Sequence, residues 1–365
     1  MSMQASARGR ASAWAIGAIA LLVAAWRAYE CLALPVETGD IARNVIYGAL
    51  AARHGFTVAG HALTDFAGTW SDISWSRFPY SYPPVTLAFF ALVASVSPTI
   101  FAAKACLTAL EAANAWMLAR LGRSAWLGLA YWASPLSIWW VSREGQFEPL
   151  QGAFSLLALL LAGRTPLFGG IALALAVSVK LTAAALLPWF ALRLWRDGRG
   201  AALLGLGGLV LGFLPCVAAE FAWHGVSNVF RYGSLLVYNP YYWNPFADMF
   251  AWNTPLQVAA NEIASYGMLA VLLIACARAR GLAARTGFLA PIAFLVFCKL
   301  HGNVQFWYFL LLPAFLATVP DRRLRFALIA LCPLLDLRGS AEALLGPFDQ
   351  RTFHGLPSVF DRYGA

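Results

Sequence analysis

The chain has 365 residues, 61% of them hydrophobic and only 12% charged, with a mean hydropathy of +0.66 and a formal charge of +9. A soluble domain is nearer half apolar and a quarter charged, so this composition excludes a protein that covers its own surface in water. The 26 Lys and Arg and 17 Asp and Glu are scattered between apolar runs, which excludes a single basic nucleic-acid-binding face.

A helix that crosses a bilayer needs roughly 20 apolar residues. Candidate runs fall at 12–29, 83–98, 100–121, 125–142, 147–162, 166–196, 201–222, 264–280, 286–300, 304–319 and 323–337. They predict an all-α, polytopic transmembrane bundle of about ten to twelve spans. Arg8 and Arg10 precede the first run and place the N-terminus in the cytoplasm; Arg193, Arg196, Arg199 and Arg278, Arg280, Arg285 read as cytoplasmic loops. No small-residue cleavage site precedes Cys31, so the first run reads as a retained span. The six cysteines lack metal-ligand or paired-loop spacing and read as small buried hydrophobes.

Two connections are too long for turns, residues 37–82 and 223–262. The first, extracytoplasmic by the parity of the N-terminus, repeats Ile41, Val45, Ala49 and Ala52 at helical spacing. Arg43, Asn44, Arg53 and His54 lie elsewhere on the wheel, which predicts an amphipathic helix on the membrane surface, stopped by Gly55. The second holds Phe230-Arg231-Tyr232 and Tyr238-Asn239-Pro240-Tyr241-Tyr242-Trp243, either an interfacial belt or a surface on which sugar rings stack. These features divide the chain into a core over 1–200 with loop 37–82, a second bundle over 201–337 with loop 223–262, and a polar tail over 338–365.

Polar residues beside or inside apolar runs are costly, so each asks for a cavity or a partner. Asp40 opens the predicted surface helix, where it serves as a helix cap or as a carboxylate base at the membrane surface. Tyr82-Pro83-Pro84 stiffens the entry to the next run. Arg143-Glu144-Gly145-Gln146-Phe147-Glu148 crowds charge into one tight turn. Lys180 sits near the middle of the long run from Pro166, which predicts a break there. A weaker polar stretch joins Lys299 and His301 to Gln305-Phe306-Trp307-Tyr308. Lys104 and Glu111 share a helix face without the spacing to pair.

In this order the stretches resemble the GT-C superfamily of membrane glycosyltransferases. Closest are the bacterial mannosyltransferase-like branch, glycosyltransferase family 87, and the mannosyltransferases of glycolipid-anchor synthesis. The likeness runs over about residues 12–320. Asp40 matches an essential loop aspartate, and Tyr82-Pro83-Pro84 matches an entry motif. Gly145-Gln146-Phe147-Glu148 matches a Gly-Gln-x-Asn turn with Glu148 in the Asn position. Lys180 matches a mid-membrane lysine, and Gln305 through Pro313 matches a late Gln-aromatic stretch. The chain departs from the pattern at Glu148 and in carrying Asp40 without an Asp-x-Asp.

The resemblance implies a GT-C-like fold in the cell inner (plasma) membrane. It implies transfer of a hexose, mannose favoured, from a polyprenyl-phosphate sugar to an extracytoplasmic lipid or glycan hydroxyl, with inversion. Asp40 would be the general base. Lys180, Tyr82, Arg143, Gln146, Glu148, His301 and Gln305 would bind substrate, with no resident cofactor and no assigned metal ligand. The expected partners are the lipid-linked donor, the acceptor and membrane lipids, and no nucleic acid. A transporter or lipid flippase is the alternative, because broken helices and midplane charges serve those functions too.

Two expectations remain open to the structure. If 83–98, 100–121 and 125–142 each cross once, the Gly145 turn falls on the cytoplasmic side, opposite Asp40, with Arg120 and Arg123 outside. And an unpaired Lys180 predicts that Lys180→Met assembles normally, whereas a carboxylate partner such as Glu111 predicts the reverse.

Overall fold

A computed structural model describes residues 2–33, 38–68, 73, 75–235, 255–300, 306–336, 340–341 and 343–344. Among these every regular element is helical. In order they are α1 (Ser2–Leu32), α2 (Thr38–His54), α3 (Pro84–Val96), α4 (Ile100–Gly122), α5 (Ala125–Trp132), the single turn α6 (Pro135–Ser137) and a π-helical turn at Ile138–Arg143. Then come α7 (Glu148–Leu161), α8 (Pro166–Val179), a 3-10 turn at Leu181–Leu186, α9 (Leu187–Asp197), α10 (Arg199–Trp223) and α11 (Gly225–Leu235). The last are α12 (Pro255–Arg278), α13 (Leu282–Thr286), α14 (Leu289–Leu300), a 3-10 turn at Phe306–Leu311, α15 (Leu312–Leu316), α16 (Arg322–Leu331) and a 3-10 turn at Cys332–Asp336.

Ser12–Leu32, Arg199–Trp223 and Leu282–Lys299 are each long and apolar enough to cross a membrane. They mark the chain as a membrane-associated helical bundle. Along α10 the exposed side chains include Leu203, Leu206, Val210 and Phe221, the last 88% exposed, as suits an apolar solvent. The opposite face of α10 carries glycines. A β-carbon on Gly208 falls 2.0 Å from the Leu167 carbonyl oxygen, and one on Gly212 falls 2.6 Å from the Ala174 β-carbon. Small residues let α10 and α8 touch backbone to backbone, which substitutes for a hydrophobic drive that lipid does not supply.

The contacts at the helix ends sort the bundle into two ends. At one, Lys104 donates to Glu30 O at 3.0 Å and Ala33 O at 2.6 Å, joining the start of α4 to the end of α1. There too Thr86 donates to Val179 O, and Phe56 stacks on Trp223 with ring centroids 6.2 Å apart. At the other, Arg322 donates to Arg123 O at 2.5 Å, Thr318 to Gly287 O at 2.6 Å and Arg285 to Ala279 O at 3.1 Å. Arg120, Arg123, Arg164, Arg193, Arg196 and Arg199 are exposed at this arginine end.

That sorting resolves the parity problem. α3 starts beside Val179 and leads into α4, which starts beside the end of α1, so α3 leaves and returns to the same end. It lies along α2 instead, where a β-carbon on Gly48 falls 2.5 Å from the Phe90 carbonyl carbon. The Gly145 turn therefore shares an end with α2: a β-carbon on Gly145 would meet Ile41 Cγ1 at 2.9 Å, and its φ of 75° also requires glycine.

The predicted surface helix needs a further correction. α2 forms over the expected residues but is buried nearly all round, Arg43 and Asn44 included, because the segments 56–68 and 75–82 fold over it. Arg43 donates to Pro79 O at 2.7 Å and Ser81 Oγ at 3.2 Å, and Asn44 Oδ1 accepts from Tyr80 at 2.9 Å. The polar face meets a loop, not water. The cysteines are all free; Cys31, Cys298 and Cys332 are buried as expected, whereas Cys106 is exposed.

Gly208→Ala should lower stability in detergent by about 1–3 kcal/mol through overpacking. Gly200→Ala, with nothing within 4 Å of the added carbon, should be neutral or slightly stabilising. Thermal unfolding of the two variants side by side checks this.

Candidate functional site

The long run from Pro166 breaks at Lys180, whose backbone is extended (φ −161°, ψ 138°) between α8 and the turn at Leu181–Leu186. A break strands carbonyls at the end of α8, and buried carbonyls must find donors. Gln151 of α7 donates to Lys180 O and, at 3.3 Å, to Ala176 O, while Thr182 donates to Gln151 Oε1 at 3.0 Å. Thr86 of α3 takes Val179 O at 3.2 Å. Two neighbouring helices thus hold the break open.

The lysine head turns to the first residue of α7. Its Nζ donates to Glu148 Oε1 at 2.7 Å and lies 3.4 Å from the Tyr308 ring centroid and 5.5 Å from that of Phe147. Glu148 is 2% exposed, and its other oxygen, Oε2, has no hydrogen-bond partner among the described residues. Phe147 in turn meets Tyr82 edge to face at 4.8 Å.

Asp40 lies in the first turn of α2, close enough to Arg43 and Lys180 for their charges to act on it. Burial raises its carboxyl above the ordinary value, and the two cations only partly reverse this. Burial and the Asp40 charge likewise raise the Tyr82 phenol, which stays a neutral donor. One end of the bundle therefore gathers two carboxylates, Asp40 and Glu148, two cations, Arg43 and Lys180, and the rings of Tyr82, Phe147 and Tyr308.

Of the residues singled out in the sequence, Asp40, Tyr82, Glu148 and Lys180 meet here. Arg143 does not join them, since its Nη1 lies 3.8 Å from Glu30 Oε2, beside the end of α1. Gln146 is buried, with its backbone N–H bonded to Trp140 O at 2.8 Å. His301 and Gln305 lie outside the described residues, as do Tyr238–Trp243 and most of the tail. Gln151 was not singled out, and Arg43 and Tyr308 were named only within the α2 pattern and the late Gln-aromatic stretch, not as site residues. Gln151 lies three residues after Glu148, so helical periodicity puts both on one face of α7, toward the break.

Two further polar clusters are internal. Arg27 donates to Trp132 O, to Ser142 Oγ at 3.1 Å and to Ser137 Oγ at 2.9 Å, and Glu111 accepts from Ser137, Tyr131 and Asn114. Lys299 pairs with Glu262 at 2.5 Å beside the Tyr266 ring. Lys104, Lys180 and Lys299 are the only lysines in the sequence, and each sits inside the bundle against a named acceptor. Lys104 and Glu111 do not pair, and the carboxylate on Lys180 is Glu148 instead of Glu111. Among the described residues no group of three His, Cys, Asp or Glu is placed to hold a metal ion. Comparison with known protein families, characterised proteins and solved structures gives no match to this chain.

The ion pair reverses the expectation for Lys180→Met. Removing the lysine strands a buried carboxylate, which costs about 3–5 kcal/mol. The double variant Lys180→Met/Glu148→Gln should recover most of that loss, as measured by thermal unfolding of the single and double variants.

Proposed function

We propose that the chain is a polytopic membrane glycosyltransferase that moves a hexose from a polyprenyl-phosphate donor to an acceptor hydroxyl. Asp40 is the general base and Lys180 is the cation nearest the departing phosphate. The observation that carries the reading is the meeting of Asp40, Tyr82, Glu148 and Lys180 at one end of an apolar bundle, from segments 140 residues apart (Asp40 to Lys180).

The chemistry balances with these groups. The acceptor oxygen attacks the anomeric carbon and its proton passes to Asp40, while the bond from that carbon to the phosphate oxygen breaks and the carrier leaves as a phosphomonoester. A carboxylate works as a base only when ionised and in reach, and the raised affinity of Asp40 for a proton moves it toward the pH at which it must act. Negative charge builds on the leaving phosphate, and a fixed cation lowers that barrier. Lys180 offers three N–H donors, of which the contact with Glu148 Oε1 uses one. Arg43 Nε, buried and without a hydrogen-bond partner among the described residues, adds a second donor near Asp40.

The same reading assigns the bilayer. On this reading the chain passes between the two ends eleven times, through α1, α4, α5 to Arg143, α7, α8, Leu181 to Asp197, α10, α12, α13 with α14, Phe306 to Leu316, and α16 to Asp336. With Arg8 and Arg10 in the cytoplasm, every pass returns the arginine end to the cytoplasm and the Asp40 end to the outside, as the distribution of positive charge favours. A cysteine at Ser97, between α3 and α4, should label from outside intact cells, and one at Arg123 only after lysis. Labelling of Ser97 from the cytoplasmic side would restore α3 as a crossing helix.

Asp40→Asn should abolish transfer from a polyprenyl-phosphate hexose while leaving the protein folded. The sign for stability follows from the raised proton affinity. The folded state holds the proton more tightly than the unfolded chain, so ionised Asp40 subtracts stability above its folded pKa. Neutral Asn removes that cost, and the melting temperature should hold or rise. In the wild type, kcat/KM should fall as pH drops, on a limb above the ordinary carboxylate value of about 3.9. Near-normal turnover by Asp40→Asn with saturating donor sinks the base role.

A further inference from the structure

We infer that Glu148 is an electrostatic gate that distinguishes the sugar-charged carrier from the spent carrier, so that the product leaves the Lys180 site. The inference rests on the transferase reading above and gives a function to what that reading leaves unexplained, a phosphate-binding lysine already neutralised by a carboxylate.

Glu148 is an unusual partner for a lysine that has only to be held in place. One oxygen takes Nζ at 2.7 Å, while the other is buried without a hydrogen-bond partner among the described residues, in a side chain 1% exposed. An unsatisfied buried carboxylate oxygen costs free energy, and Gln in the same place would hold the lysine without the second charge. A carboxylate is thus set directly against the lysine that would receive the anion.

The two forms of the carrier differ in charge. The donor is a phosphodiester with a single negative charge. The product is a phosphomonoester with a second pKa near 6, carrying roughly −1.5 to −2 at pH 7. Once Asp40 has given its proton up to solvent, Asp40 and Glu148 set against Arg43 and Lys180 sum to zero, so the site accepts one negative charge at moderate cost and resists a second. A fixed anion about 5 Å from the extra charge disfavours it by a Coulomb energy equivalent to tenfold or more in affinity at the effective dielectric of a partly buried site. The charge difference pushes in one direction, toward release after transfer.

The test is direct binding to the full chain in lipid nanodiscs, with two probes of equal chain length. They are a polyprenyl phosphate and its methyl diester, which carries one charge and no sugar. Wild type should prefer the diester by about tenfold or more. Glu148→Gln should lose that preference by tightening the monoester, and Glu148→Asp should keep it. An unchanged preference in Glu148→Gln, or a wild type that prefers the monoester, overturns the gate. If Glu148→Gln does not fold, the wild-type preference and that of Glu148→Asp decide the matter. Binding of neither probe to wild type, together with no transfer from a polyprenyl-phosphate hexose, brings down the transferase reading as well. Transfer with an unaltered probe preference brings down the gate alone.

Discussion

The structure depends on the refusal of an apolar bundle to tolerate an unpaired charge. Lys180 interrupts a run that would otherwise be one long helix, and its charge holds the interruption open. The ammonium needs Glu148, the stranded carbonyls need Gln151 and Thr86, and those needs fix α7, α8 and α3 against one another. A helix end buried without such donors is not stable, so the break and its three partners stand or fall together. The same rule explains Arg27, whose guanidinium is satisfied by Trp132 O, Ser137 and Ser142 and thereby pins α1 to the α5–α6 corner. Because breaking such a pair costs more than making it gains, these contacts specify the arrangement more than they stabilise it.

Close packing supplies the second constraint. Gly48 against Phe90 brings α3 flat along α2, and Gly208 and Gly212 bring α10 onto α8. The first contact turns α3 back, and that decides which loops share an end. Without it Glu148 would lie a bundle's length from Asp40. Gly48 of α2, in the first long loop, is therefore as much a part of the site's geometry as its charged residues.

The helical class and the break at Lys180 were legible because each rests on local sequence, either an apolar run or a polar residue within one. The partner choices were not. Periodicity marks Glu111 and Glu148 alike as carboxylates on apolar helices, and nothing along the chain says that Glu111 goes to Tyr131 and Ser137 while Glu148 goes to Lys180. The amphipathic reading of α2 failed for a related reason. A polar stripe predicts contact with something polar, and here that is the carbonyls of the loop at Phe78 and Pro79 instead of water. At α3 composition reports only that a helix prefers an apolar setting, and packing against α2 satisfies that preference as lipid does.

The placement of lysine and arginine carries the argument one step further. Lysine occurs at three positions, all internal, while the exposed arginine end is free of it. Arginine stays charged in any setting and presents a planar fork suited to lipid phosphates, which fits a surface facing headgroups. An ammonium is a compact point charge whose three donors can be divided among unlike partners, a carboxylate, a ring face and an incoming ligand. Lys180 has the first two, in Glu148 and Tyr308. Lys299 has the same pair in Glu262 and Tyr266. Lys104 differs, being spent on the two carbonyls at the end of α1, where it closes that helix. The three lysines thus divide by what their donors meet, a carboxylate and a ring at Lys180 and Lys299 and two backbone carbonyls at Lys104.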